Sequence, residues 1–460
     1  MPKKTVLFIG FTWPEPASTA AGHRISQLLD YFQNQKYRTV FASTAAKTAK
    51  SMELEGYGIE EVSIKLNDSG FDTFVKDLNP QIVVFDRFLT EEQFGWRVAE
   101  FVPDALRILD TEDLHSLRKT REMLVKQNIA LLDAKHPNTD VEKTGTIHLA
   151  KNNSSNFKPM FPTEFDLRDD SMDYESPVVS AWLQNDLTKR EMASIYRCDL
   201  SLIISSYEME LLGTILKIDS RLLLHLPFML DALDADTIQQ WPSLEDRKDF
   251  VCIGNGKHAP NVDAILWLKK KIWPLIQKQL PEVHLNIYGA YLPEHILQMN
   301  SPREHFHVLG WVENVKDVLR KARVNLAPLR FGAGIKGKLV DAMQTGTPSI
   351  TTSIGAEGMH SGLPWGGAIE NTAEEFAKAA VRLYQNPKVW RASQENGIAI
   401  INSLYNKDSL SSKLSQSISE IENNLSKHRR RNFIGAMLMH HSMMGTKYMA
   451  KWISAKNNMG

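Results

Sequence analysis

Eleven short apolar runs of strand length, most of them followed by a stretch of helical periodicity, constrain the fold of this chain more than any other feature. Six come first: TVLFIG (5–10), YRTVFAS (37–43), QIVVFDR (81–87), ALRILDT (105–111), LSLIISS (200–206) and RLLLHLPF (221–228). Five follow: DFVCIG (249–254), HLNIYG (284–289), HFHVLGWV (305–312), VNLAPLRF (324–331) and PSITT (348–352). Between the first two of these five, Val262, Ile265, Leu266 and Ile272 recur at helical spacing. Runs that are apolar throughout, rather than alternating, are buried on both faces, as in a parallel sheet covered by helices. The polar stretch DALDADTIQQWPSLEDRKD (231–249) separates the two groups. The expected architecture is α/β, with two Rossmann-like domains facing a cleft. Residues 1–235 form one domain, 236–248 the linker and 249–395 the other domain, with a helix at 396–426 and a helical tail at 427–460. Open α/β sheets bind ligands beyond the carboxyl ends of their strands, so the cleft is the expected site.

At 460 residues the chain is too long for one ordinary core, which agrees with two domains. Lys plus Arg equal Asp plus Glu at 54 each, so charge gives no case for nucleic acid. Cys198 and Cys252 are the only cysteines. Two so far apart make neither a disulfide framework nor a metal cluster, and they fit a reducing cytoplasm. After Lys3 and Lys4 only about five apolar residues precede the Pro14 loop, so a buried first strand is expected rather than a signal peptide. No run approaches the ~20 apolar residues of a membrane span. Residues 134–180, rich in Asn, Ser, Pro, Asp and Lys and without periodicity, read either as a flexible insertion in the first domain or as a lid over the cleft.

Chemistry concentrates in FGAGIKGKLVDAMQTGTPSITT (331–352). A strand ends there, Gly332, Ala333 and Gly334 form a loop, and a helix is expected from about Ile335 to Gln344 with Leu339, Ala342 and Met343 inward. Gly346 is placed to cap that helix. A glycine loop between a strand end and a helix N-terminus leaves N–H groups unpaired at the positive end of the helix dipole, which favours an anion. Lys336 and Lys338 add charge in the first turn, and Asp341, one turn on, can accept from sugar hydroxyls. A sugar nucleotide, with phosphates and hydroxyls together, satisfies the whole order. The glycines and lysines alone suit a solvated turn better, with both lysines and Asp341 exposed. GAGIKGK also fits GxxxxGK, but Leu339 stands where a nucleoside-triphosphate loop needs Ser or Thr for magnesium.

The order FGAGIKGKLVDAMQTGTPSITTSIGAEGM resembles the donor-binding segment of retaining GT-B glycosyltransferases of the group 1 (family 4) type. In that family a Gly-rich loop, a helix with an acid before Ala-Met, and Gly-x-Pro-x-x-x-Thr follow one another. FVCIGNGKHAPNVDAILWLKKKIWPLI is similar to the family's first donor-domain strand and helix, and HVLGWVENVKDVL to its nucleobase-side strand. The likeness covers roughly 249–395. In the first domain PEPASTAAGHRISQLLDYF, LDTEDLHSLR (109–118) and LTKREMASIYRCDLSLIISSYEMELL (187–212) resemble the family's first loop and helix, strand-end loop and approach to the hinge.

The resemblance implies transfer of a sugar from a nucleotide-diphosphate donor to a saccharide or lipid-linked acceptor, with retention, in cytoplasmic assembly of a cell-surface glycan or polysaccharide. It implies that Gly332, Ala333 and Gly334 offer backbone amides and that Lys336 and Lys338 neutralise diphosphate. Asp341 would then contact ribose, Val312 would meet the base and Gly254 would lie under the phosphates. Gly22 and Arg24 fall on the acceptor-side loop. His115, with Asp113 near it, is the candidate for contact with the donor sugar or the acceptor; the alternative is a structural histidine, with Glu112 aligning with the family's usual histidine instead. One departure stands out: the family has two glutamates separated by seven residues, and here Asp341 holds the second place and Ala333 the first. That leaves donor-sugar selection open. The implied chemistry is positioning and charge stabilisation, with no cofactor beyond the donor and no metal. Asp169-Asp170 sits in the insertion rather than at a strand end.

Three other functions compete. A GT-B-fold sugar-nucleotide epimerase shares the architecture, and a catalytically silent sugar-nucleotide sensor or assembly partner is kept open by Ala333. GNGKHA (254–259) fits the loose dinucleotide form GxGxxA, but Pro260 follows at once and no acid closes the next strand at Gly289. From Lys427 to Gly460 there are seven Lys and Arg and no acid. Ile434, Met437, Leu438, His441, Met444, Tyr448 and Trp452 fall near one face of a helix there. Two readings of that tail stand: an interfacial helix on an anionic membrane leaflet, at its inner face, or a helix packed back with its Met-rich face covering core.

Overall fold

The computed structural model describes residues 3–135 and 173–457. The first sheet holds β1 (Thr5–Gly10), β2 (Arg38–Ser43), β3 (Glu60–Ser63), β4 (Ile82–Asp86), β5 (Leu106–Asp110), β6 (Leu200–Ile203) and β7 (Leu223–His225). Its order is β3-β2-β1-β4-β5-β6-β7, parallel throughout. The second holds β8 (Lys248–Ile253), β9 (Leu285–Tyr288), β10 (Phe306–Gly310), β11 (Ala322–Ala327), β12 (Ser349–Thr351) and β13 (Gly367–Ile369). Its order is β10-β9-β8-β11-β12-β13, also parallel.

Each of the eleven apolar runs coincides with one of these strands, β8 and β11 starting one and two residues before their runs. Alternate residues of β1 explain why: Leu7 and Ile9 enter one core with Val83, Phe85 and Leu109, while Val6 and Phe8 enter another with Ile25, Leu28 and Phe32. A strand with a core on each face has no polar side to show. The two strands without an apolar run, β3 (EEVS) and β13 (GAI), are both sheet edges, where that demand is relaxed.

Strand order reverses between β1 and β4, and again between β8 and β11. Helices leave such neighbours toward opposite faces, opening a crevice at the carboxyl ends. The two sheets present these crevices to each other.

Several expected boundaries move. The helix Pro387–Leu404 runs through the limit drawn at 395, because Ile400 and Ile401 bury beside Leu339, Met343 and Trp365. The next helix, Lys407–Glu422, crosses back and buries Leu410, Leu414, Ile418 and Ile421 among Phe8, Ile25, Leu28 and Leu29 of the first domain. The 236–248 stretch is no free linker. Arg247 is buried there, donating to Thr347 Oγ1 and to the Thr345 carbonyl at 2.8 Å each, and so satisfies the end of the helix Gly337–Gln344. Of 134–180, residues 136–172 lie outside the described residues, while Pro177–Gln184 is a helix whose Val178, Val179 and Trp182 bury in the first core. The tail forms helices Leu425–Arg431 and Phe433–Asn457. Among the described residues no helix is long and apolar enough to cross a membrane.

Candidate functional site

A cavity of about 560 Å³ opens between the sheets. Its walls are loops at strand carboxyl ends. After β1 come Pro16 to Ala21 and His23, after β4 Arg87, and after β5 Glu112, Asp113, His115 and Arg118. From the second domain come Gly254 to His258 after β8, Glu313 to Lys316 after β10, and Leu329 to Asp341 after β11, not every residue of each stretch taking part. Both switch points therefore feed one site.

The loop after β11 needs its glycines. Gly334 sits at φ +63°, and a Cβ there would stand 2.7 Å from Asp113 Cβ, so the loop touches the first domain at a point no side chain fits. Its N–H donates to Glu208 Oε1 at 2.8 Å, and the same oxygen accepts from Leu114 N–H at 3.0 Å. Gly334 is therefore not a free amide for a phosphate, contrary to expectation: the buried Glu208 carboxyl, pushed up to about 8 by burial, uses it to join the two domains. Arg121, fully buried, donates to both Glu357 oxygens at 2.8 and 2.7 Å and to the Gly332 carbonyl at 2.9 Å. The helix after the loop starts at Gly337, two residues later than its periodicity implies, because Ile335 turns into the interdomain core.

Lys336 and Lys338 both line the cavity. Lys336 Nζ donates to the Gly334 carbonyl at 2.8 Å and Lys338 Nζ to Asn261 Oδ1 at 2.6 Å. Among the described residues neither ammonium pairs with a carboxylate. Burial pushes both down to about 8. Gly254 serves this arrangement indirectly: a Cβ there would meet the Asn261 side chain at 2.7 Å and displace the partner of Lys338. Asp341 lines the cavity, pushed up to about 6 by burial.

On the facing wall His115 Nε2 lies 3.2 Å from Asp113 Oδ1, and Arg118 Nη1 is 2.5 Å from the other oxygen. Burial lowers His115 to about 4, so at neutral pH it is an uncharged imidazole held by a carboxylate. Burial opposes ionisation of Asp113, but Arg118 and then His115 hold it below its ordinary value. Glu112 lines the same wall at φ +64°, and Arg87 stands at +74° at the end of β4. Such backbone costs on the order of 1–3 kcal/mol per residue and persists only where the surroundings impose it. Burial, then the charge of Asp110, raises Glu112 well above the carboxylate range. The structure thus brings both alternatives, Glu112 and His115, to the cavity.

Three expected positions fall elsewhere. Val312 is half-buried and not in the cavity wall; Asn314, Val315 and Lys316 take that place. Arg24 is buried beneath the site, with Nε 2.7 Å from Asp110 Oδ1 and Nη1 2.7 Å from the Leu226 carbonyl, because a guanidinium on the inward face of its helix must find acceptors there. Gly22 abuts the Glu15 backbone, where a Cβ would come within 2.5 Å, and shapes the loop without lining it. Sequence reasoning passed over His23, His258, Arg87, Arg118 and Lys316, all in the wall. Arg87 and Arg118 end strand-and-loop stretches already singled out, and His258 lies in GNGKHA, so strand-end position was the usable signal. Glu208, on a helix behind the site, gave none.

Residues 247–386 match the model of the family described as group 1 glycosyl transferases. A Klebsiella pneumoniae protein described as an uncharacterized 44.6 kDa protein in the cps region is 24% identical over 33% of this chain and 41% of its own length, so the match reaches less than half of that relative. Sucrose-phosphate synthase from Thermosynechococcus elongatus superposes with a TM-score of 0.60 at 14% identity, over 91% of this chain and 99% of the other. HepE from Anabaena, solved with UDP and glucose, gives 0.57 at 11%, over 90% and 99%. A glycosyltransferase from Rickettsia africae gives 0.57 at 10%, over 92% and 100%. Identities this low establish a shared fold and nothing finer.

Proposed function

We infer the function from one premise: residues 247–386 carry the group 1 glycosyl transferase match, on a GT-B fold whose likeness covers 91% of the chain. On that premise the protein transfers a sugar from a nucleotide-diphosphate donor to a saccharide or lipid-linked acceptor. The observation that carries this reading is the pair Lys336, buried, and Lys338, half-buried, two ammonium groups with no carboxylate within ion-pair distance among the described residues, on one wall of the interdomain cavity. A desolvated ammonium that no carboxylate contacts directly is unfavourable until an anion arrives. A diphosphate meets that need, and the leaving group's growing charge strengthens the contact as the bond to sugar breaks.

In this reading Asp341 accepts from ribose, and His115, uncharged and oriented by Asp113, meets a hydroxyl of the transferred sugar or the acceptor. Counter-charge comes from lysine, so transfer is expected to continue in a chelator. Retention at the anomeric carbon belongs to the proposal on the strength of the sequence resemblance, and the anomeric signal of the product by NMR tests it. The cps-region relative supports a role in surface polysaccharide assembly, and HepE, solved with UDP and glucose, makes UDP the first nucleotide to test. A cytoplasmic site of action, at the inner face of the membrane for a lipid-linked acceptor, completes the reading.

The first experiment is a thermal-shift series with UDP, GDP, ADP, TDP and CMP. A ligand that binds only the folded state raises the midpoint as RT ln(1 + [L]/Kd), so one diphosphate should stand out. No shift with any diphosphate would remove the donor site from this cavity. Interconversion of donor epimers without acceptor would instead identify an epimerase.

A further inference from the structure

The helix Phe433–Asn457 faces two ways. One side is seated on the first domain. Ala450 is buried and Met439 partly buried beside Trp96, and a Cβ on Gly435 would stand 2.1 Å from the Tyr196 carbonyl. Lys447 and Lys451 pair with Glu100 at 2.8 and 3.5 Å. Just before the helix, Arg429 donates to both oxygens of buried Asp199 at 2.8 and 2.7 Å and to the Ala105 carbonyl at 2.7 Å. The seat belongs to the fold, whatever the other side meets.

The other side is apolar and exposed. Phe433 is 75% exposed and Trp452 61%, with Ile434, Met437, Met444 and Tyr448 also open. At about 100° per residue these six fall within a sector of about 100°, centred opposite Gly435, Met439 and Ala450. Five residues of the stripe legible in the sequence, Ile434, Met437, Met444, Tyr448 and Trp452, are among these six and point away from the body, while Leu438 is half-buried. Aligned exposed aromatics of this kind mark an interaction surface.

Charge selects the occupant. Residues 427–460 hold seven Lys and Arg and no acid, with Lys427, Arg430, Arg431, Lys451 and Lys456 exposed. A second copy would bring two cation-rich faces together, which like charge disfavours. An anionic lipid surface supplies both the opposite charge and an apolar layer for Phe, Tyr and Trp rings.

We propose that the Phe433–Trp452 stripe lies in the headgroup boundary of an anionic membrane, with its aromatic rings toward the acyl layer and Arg430, Arg431 and Lys456 at lipid phosphates. The glycosyltransferase reading supplies the purpose, since a lipid-linked acceptor is met at that surface, but lipid binding needs no substrate and is measured apart from it.

The test is sedimentation of the full chain with vesicles of phosphatidylcholine alone and of phosphatidylcholine mixed with phosphatidylglycerol. Binding is expected only to the mixed vesicles, and weaker as salt rises. Tyr448→Ser with Trp452→Ser, and separately Arg430→Gln with Arg431→Gln, should each lower the partition coefficient roughly tenfold or more. Thermal midpoint and nucleoside-diphosphate affinity should stay unchanged. Equal binding to both vesicle types, or wild-type partition in both variants, overturns the proposal. So does a protein that ignores vesicles and forms a dimer that Trp452→Ser disperses, which would give the stripe to a second copy. Should the variants misfold, the phosphatidylglycerol dependence of the unaltered chain still decides. Loss of nucleotide binding with vesicle binding intact would strike the enzymatic reading alone.

Discussion

Lys338 is the residue on which the donor site is most directly tested. Its ammonium rests on Asn261 Oδ1 rather than on a carboxylate, so a diphosphate would add the charge-assisted contact it lacks. Such a contact contributes roughly 1.5–3 kcal/mol. Lys338→Ala should therefore weaken nucleoside-diphosphate binding about tenfold to a hundredfold and leave the free nucleoside almost unaffected. Asp341→Asn should weaken both ligands, because ribose is common to them. Isothermal titration of each variant with uridine and UDP checks this, and equal loss for both ligands in Lys338→Ala would falsify the phosphate role. The pH dependence follows from the same burial. Both lysines stand near 8 in the free protein, and a bound anion favours the charged form. Affinity should thus hold below pH 8 and fall as pH rises above it, with proton uptake on binding that grows over the same range. Titration in buffers of different ionisation enthalpy measures that uptake; pH-independent affinity between 7 and about 9 would contradict it.

At the scale of elements, the loop after β11 is fixed by groups remote in sequence. Arg121 lies on the helix His115–Lys135 and Glu357 follows β12, yet they form a fully buried bidentate pair that also holds the Gly332 carbonyl. Removing one partner of such a pair leaves an uncompensated charge, at about 3–5 kcal/mol. Arg121→Ala should lower thermal stability by that order and weaken diphosphate binding as the loop loses its hold. The double variant with Glu357→Ala should cost less than the sum of the single ones. Strict additivity would mean the pair does not couple. The loop itself was legible from residues 331–352, because glycines between a strand and a helix constrain the local chain. Its clasp was not, since neither Arg121 nor Glu357 has a local pattern that names the other.

For the whole molecule, the C-terminal segments decide how the two domains stay together. The chain leaves the second domain at Leu404, lays Leu410, Leu414, Ile418 and Ile421 on the first and then sets Arg429 on Asp199. Cutting away 427–460 therefore removes more than a surface tail. Arg429→Ala should destabilise the first domain by about 1–3 kcal/mol, read as a lower thermal midpoint with donor affinity kept. An unchanged midpoint would show that the seat of the last helix contributes nothing to the fold.

By itself the sequence determined the two parallel sheets and the glycine loop, because both rest on local order. Leu7 beside Phe8 demands a core on each face, and Gly-Ala-Gly before Lys-Gly-Lys demands a turn into a helix N-terminus. It also determined the apolar stripe of the tail, a matter of helical period. Only the tertiary structure decided that Gly334 gives its amide to Glu208, that Arg24 turns inward to Asp110 and that the tail's stripe faces outward. Each of these depends on which strand ends and helices meet in the folded chain, a relation between residues remote in sequence (86 apart for Arg24 and Asp110, 126 for Glu208 and Gly334) that no local pattern encodes.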